Sequence, residues 1–109
     1  MGNKHSIAEV AARLDDPFKH IVVGQVDDYC AYLVRIEGNY LFHQHQKDEM
    51  YLVLEGELVI DYDPTETSGA SVTLKQGETL VVQAGDRHRS RSETGALVLM
   101  FKAQDLFAE

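Results

Sequence analysis

Three histidines and one glutamate stand at spacings that let them act on a single ion. His43 and His45 flank Gln44, Glu49 follows after three intervening residues, and His88 comes much later, directly behind Gly85-Asp86-Arg87. Residues two apart on an extended chain point the same way, so His43 and His45 project from one face and Gln44 from the other. If Tyr40 to Gln44 pairs with Met50 to Leu54, the bend between them swings Glu49 back beside the two imidazoles, and one hairpin supplies three donors. His88 opens a later strand, and only pairing between segments distant in sequence brings it to the other three. Three imidazoles and a carboxylate, without thiolate, suit one divalent transition metal ion: Fe(II), Mn, Ni, Zn or Cu(II). Four protein donors leave two positions of a six-coordinate ion open for water, oxygen or a bidentate substrate; a tetrahedral ion would be saturated.

A His-x-His pair alone says little, because most histidines are surface or satisfied core residues. His5 and His20, which lack partners, are read that way. The set is different: a carboxylate four residues on, glycines at 38 and 56 around the unit, and a further histidine after a turn.

The elements that must position these groups read as strands. Ser6 and Glu9 have capping-box spacing, and Ile7, Val10, Ala11 and Leu14 recur at helical intervals, so a short amphipathic helix is expected from Ile7 to about Leu14. Asp15-Asp16-Pro17 ends it. From Phe18 onward, short segments rich in Val, Ile, Leu, Tyr and Phe alternate with turn residues, as in an all-β sandwich or barrel. Expected strands are Ile21 to Val26, Tyr29 to Glu37, Tyr40 to Gln44, Met50 to Leu54, Leu58 to Tyr62, Ser71 to Leu74, Thr79 to Val82, His88 to Ser92 and Leu97 to Lys102. Asp63 to Ala70 is polar and reads as a mobile surface loop, and Leu106 and Phe107 are available to dock the tail.

A chain of 109 residues is the size of one domain and can bury roughly 60–70% of its unfolded surface without disulfides. Residues 1–17 are read as helix and lead-in, and 18–109 as one barrel domain. Eighteen acidic against ten basic residues, a formal charge of −8, oppose approach to nucleic acid or an anionic membrane. The lone Cys30 reads as a small core residue. With no secretory leader and no apolar run near 18 residues, a cytoplasmic address is expected. Met1 to Ser6 formally match an N-myristoylation pattern, but one acyl chain gives only marginal attachment, and no membrane association is expected.

The sequence resembles the cupin superfamily. That family's first motif is glycine, five residues, His-x-His, three or four residues, Glu, six residues, glycine. Gly38, His43, His45, Glu49 and Gly56 fill it, with four residues rather than five after Gly38. The second motif is glycine, five residues, Pro-x-Gly, two residues, His, three residues, Asn. Gly77, Gly85 and His88 match it, with Gln83 in place of the proline and Ser92 in place of the asparagine. The resemblance covers about Val22 to Phe101 and implies a double-stranded β-helix, a jelly-roll-like barrel. It also implies metal ligation by His43, His45, Glu49 and His88, and pairing as a homodimer. Edge strands, which need covering, argue for a dimer independently.

Strand parity suggests the pocket wall. Leu41 would share the inward side of His43 and His45, Tyr51 and Val53 the side of Glu49, and Ser90 and Ser92 the side of His88. Tyr51 and Ser90 are the candidate substrate contacts. Arg87, Arg89 and Arg91 would face outward, while Arg35 could reach a pocket. Gln83 either marks drift in a loop or offers an amide to a metal-bound ligand.

Similar scaffolds serve dioxygenases, decarboxylases, isomerases, storage proteins and ligand-binding regulators, so the fold leaves the reaction open. The reading taken forward is a small metal-dependent enzyme, a dioxygenase or an isomerase or lyase, acting on a small polar metabolite bound at the metal. A label such as mannose-6-phosphate isomerase-like fits the size but lacks a phosphate cradle. The alternative is a non-catalytic module that binds a small ligand or metal; a barrel that has lost its metal is disfavoured because no ligand is substituted.

Overall fold

Local signals produce the first element as expected. Ser6 caps α1 (Ile7–Ala12) by accepting a hydrogen bond from the Glu9 amide at 3.3 Å. The helix stops at Arg13, two residues short of the expected end, and Leu14 still turns inward. Val10 and Leu14 pack with Leu33 and Leu97, so the helix is held by its apolar stripe against the sheet. The computed structural model describes residues 2–66 and 69–104. Leu106 and Phe107, expected to dock, and Thr67 and Ser68 of the polar loop lie outside those residues.

Six strands follow: β1 (Ile21–Val26), β2 (Tyr29–Asn39), β3 (Glu49–Tyr62), β4 (Ser71–Lys75), β5 (Thr79–Val82) and β6 (His88–Ala103). All pairings are antiparallel in the order β1-β2-β6-β3-β4, with β5 also on β3. This is an all-β barrel with, among the described residues, one short helix. Three expectations about segmentation are corrected. Met50–Leu54 and Leu58–Tyr62 are one strand, and His88–Ser92 and Leu97–Lys102 are another. In each, a glycine that looks like a turn serves as a bulge: Gly56 pairs with Ala96, and the register shifts on both sides of it.

Third, Tyr40–Gln44 is not a strand and does not pair with Met50–Leu54. Glu49–Leu52 pairs instead with Leu80–Val82 and Thr79 of β5 and, from Met50, with β6. The 40–44 segment is held to β6 by an isolated bridge, His43 to His88, whose amides and carbonyls exchange hydrogen bonds of 2.9 and 2.8 Å. With no regular pleat there, parity fails, and Leu41 is 78% exposed rather than inward.

The main core lies between the long strands. Val53, Leu58, Ile60 and Val98 are fully enclosed, with Val34, Ile36, Tyr51 and Met100 packed around them. Each such side chain contributes about 1.5–3 kcal/mol. Cys30 is buried and unbridged. Outside the barrel, Asp61 accepts from Arg91 Nε at 2.7 Å, Arg89 Nε at 3.0 Å and Ser71 Oγ at 2.6 Å. Arg87 meets Asp63 at 3.2 Å. The three arginines therefore face away from the interior, as alternation with His88 requires.

Gly56 has φ +81°, and a Cβ there would clash with the Gly95 carbonyl oxygen; Gly77 has φ +84° with open space around it. Gly77→Ala should cost about 1–2 kcal/mol from backbone strain alone. Gly56→Ala adds a backbone clash and should cost about 3 kcal/mol or more. Urea midpoints compare them, and equal losses would show that the bulge yields.

Hydrogen bonds from Arg91, then from Ser71 and Arg89, outweigh burial and hold the Asp61 carboxyl well below the ordinary carboxylate range. Its contribution is present above the unfolded value of about 3.9 and is lost as pH falls through the lower folded value. Asp61→Asn should lower stability at pH 7 by about 1–2 kcal/mol and flatten the loss between roughly pH 5 and pH 2. Urea titrations across that range measure both.

Candidate metal centre

Each donor reaches the centre by a different local device. Glu49 begins β3, where pairing with Val82 fixes its backbone. His88 begins β6, and its Nδ1 lies 2.8 Å from the Asp86 carbonyl in the preceding turn. His43 uses the same device, with Nδ1 2.8 Å from the Leu41 carbonyl. A carbonyl can only accept, so both Nδ1 atoms carry a proton, and in the neutral rings both Nε2 atoms keep an unshared pair. His45 is fixed through its carbonyl, which accepts from the Gly85 amide at 2.8 Å, while the Ala84 amide donates to Asp48 Oδ1 at 2.8 Å. The turn at 83–86 is thereby clamped to the 45–48 bend.

The four donors converge. His43, His45, Glu49 and His88 each offer one ligand atom, and these atoms lie within 4.8 Å of one another. Donors on opposite sides of one ion, each about 2.1 Å from it, are about 4.2 Å apart, so small side-chain shifts suffice. His88 Nε2 lies 2.7 Å from Glu49 Oε1, and His45 Nε2 lies 3.4 Å from Glu49 Oε2. Glu49 Oε2 is buried without a hydrogen bond. An acceptor pair at 2.7 Å and an orphaned carboxylate oxygen both call for a cation. Histidines that give their second nitrogen to a carbonyl are also the usual arrangement in metal sites. The donor set fits a divalent transition metal, and the group can hold one.

The electrostatics agree. Burial alone would raise the Glu49 carboxyl, but positive charge beside it, here that of the hydrogen-bonded His88 and of His45 when those rings are protonated, holds it below its ordinary value together with the bond from Tyr51. Burial lowers His43, with His88 and His45 adding to the effect against the Leu41 carbonyl and Glu49. Burial, then Glu49, pushes the Tyr51 phenol well above its ordinary value. Tyr51 therefore stays protonated and donates to Glu49 Oε1 at 2.9 Å.

A cavity of about 270 Å³ opens beside the cluster. His43, His45, Tyr51 and Ser90 line it, joined by apolar walls that include Phe18 and Met100. Leu41 and Ser92 do not contribute: Leu41 points to solvent, and Ser92 Oγ donates to the Glu57 carbonyl at 2.6 Å. Val53 keeps the expected side but is sealed in the core. Arg35 lines a different depression, beside α1. Gln83 is exposed, and its carbonyl accepts from the Asp86 amide.

Two residues that sequence reasoning passed over do line the cavity, His20 and Lys102. His20, read as an ordinary histidine, stands edge-on to Tyr32 with centroids 5.7 Å apart. Packing against the wall, then the Lys102 ammonium, lowers it to about 4. No local spacing announces either residue, though Lys102 follows Met100 by two along β6.

The chain belongs to the cupin family: the cupin domain matches residues 33–101. It is 32% identical over 93 residues to the uncharacterised protein YdbB of Bacillus subtilis (strain 168), across 84% of this chain and 79% of that protein. A crystal structure of a cupin-2 domain protein from Shewanella frigidimarina superposes with a TM-score of 0.84 at 23% identity, covering 92% of this chain and 94% of that one. Hydroquinone 1,2-dioxygenase from Sphingomonas sp. TTNP3, with 4-hydroxybenzoate bound, superposes at 0.74 with 19% identity, covering 90% and 71%. These likenesses establish the cupin barrel.

Removing the Tyr51 hydroxyl leaves the four donors in place but frees the Glu49 carboxylate to turn. Tyr51→Phe should weaken metal binding by about 10- to 100-fold while the fold persists, as read by competition against a chromophoric chelator. Unchanged affinity would reduce Tyr51 to a packing residue.

Proposed function

We propose that this protein is a small metal-dependent enzyme, of dioxygenase or isomerase and lyase type, acting on a small polar metabolite bound at the metal. One observation carries the reading: His43 and His45 belong both to the donor cluster and to the wall of the 270 Å³ cavity. A closed structural site would have no such opening, and that weighs against a storage role. The dioxygenase among the fold relatives shows that this barrel can support oxygen chemistry elsewhere.

His43, His45, Glu49 and His88 are the proposed ligands. A bound divalent ion would supply Lewis-acid polarisation of a coordinated oxygen or, if redox-active, electron transfer. The protein's own part is positioning. Tyr51 holds Glu49 through its hydroxyl, Ser90 offers a polar contact on the wall, and the apolar lining of Phe18, Val34, Ile36 and Met100 limits water. The volume corresponds to about nine waters, which suits a small substrate.

A homodimer and a cytoplasmic setting complete the proposal. Val22 and Val26, 47% and 76% exposed on edge strand β1, are apolar surface that a second copy would cover. Among the described residues no helix is long and apolar enough to cross a membrane.

Elemental analysis of protein purified without added metal should find close to one transition-metal ion per chain, and the element found separates redox from Lewis-acid chemistry. His45→Ala should remove most of it while circular dichroism still reports the barrel. Full metal content in that variant would defeat the assignment.

A further inference from the structure

Lys102 occupies an unusual place. Tyr51 pairs with Met100 and Met50 with Phe101, so the ladder carries Lys102, next on β6, toward Glu49, next back along β3. Lys102 also shares the strand face of Met100, and both line the cavity. Its ammonium lies 5.1 Å from the centroid of the Tyr32 ring, which orients it. The residue is half-buried, and among the described residues no carboxylate comes within 4 Å of its nitrogen. In a chain carrying eight more acidic than basic groups, a half-buried cation without a paired anion is costly unless something else meets it. Burial lowers the Lys102 ammonium below its ordinary value and the Glu49 charge only partly opposes that, since Glu49 is engaged by His88, His45 and Tyr51.

We propose that Lys102 is the specificity-determining residue of the cavity, holding the anionic group of a small carboxylate whose apolar body lies against Phe18, Ile36 and Met100. The inference rests on the reading of the cavity as a substrate site. It narrows the substrate class from a polar metabolite to an organic anion. Lys102 lines the same cavity as His43 and His45, so a carboxylate held by its ammonium occupies the space that those imidazoles face. His20, beside the same Tyr32 ring, is held neutral and adds a hydrogen-bonding group without a second charge.

The test uses the full chain as purified, with benzoate and its neutral isostere benzamide as probes. Methyl resonances of Val34, Ile36 and Met100 report binding without any need for turnover. Benzoate should shift them and bind at least tenfold more tightly than benzamide. K102M, which keeps an apolar stem, should lose about tenfold in benzoate affinity while benzamide is unchanged, and K102R should restore most of the loss. Equal affinity for the two probes, no benzoate-dependent shift, or an unaltered K102M would overturn the proposal. Metal content is measured on the same samples before and after chelation. Lys102-dependent benzoate binding by a protein that holds no metal as purified and takes none up would sink the metal-dependent reading and leave this one standing; a metal-loaded protein indifferent to benzoate would do the reverse.

Discussion

Two unshared electron pairs, on His88 Nε2 and Glu49 Oε1, face each other across 2.7 Å inside the barrel. In the neutral ring neither atom brings a proton to that gap, because the single His88 proton is committed to the Asp86 carbonyl. Tyr51 donates to the same carboxylate oxygen but leaves the charge in place. Such an arrangement is stable only with positive charge between the donors, from a proton or a metal ion. With His43 and His45 close to the same carboxylate, a metal ion would satisfy more of the cluster than a proton can, since one proton serves a single pair.

The barrel exists in a form that can impose this. Glu49 and His88 begin the two longest strands, and β3 and β6 run antiparallel, so their starting residues would lie at opposite ends of a flat ladder. The bulges at Gly56 and before Ala96 bend both strands. The bridge from His43 to His88 then draws the 40–44 segment across. Beneath the cluster, Val34, Val53 and Val98 fill the interior, and Asp61 with its arginines ties β3 to β6 on the outside. Burial on one side and ion pairing on the other keep the four donors from relaxing away from one another.

The cavity is asymmetric in a way that suits chemistry on a small molecule. One wall carries the imidazoles, another is apolar, and a lone ammonium stands on the strand face beside them. Stability argues for none of these polar groups, since a well-packed apolar interior would cost less. Real proteins keep such local conflicts where they bind and react.

The donor set, the capped helix, β1, β5 and the all-β class were legible from residue order, because caps, alternation and motif spacing are local properties. The 40–44 segment was misread because its extended residues satisfy their backbone against His88 rather than in a regular hairpin, which no local pattern records. For the same reason Leu41 faces water, and Gly56 and Gly95 bend strands instead of ending them. His20 and Lys102 were passed over because each is ordinary by its neighbours in sequence and distinctive only by its neighbours in space. Sequence alone determined which atoms are available to bind a cation, through the side-chain types and their spacing. Only the tertiary structure decided that a cavity opens beside them and that a lysine enters it, since both depend on the register and bending of strands far apart in the chain.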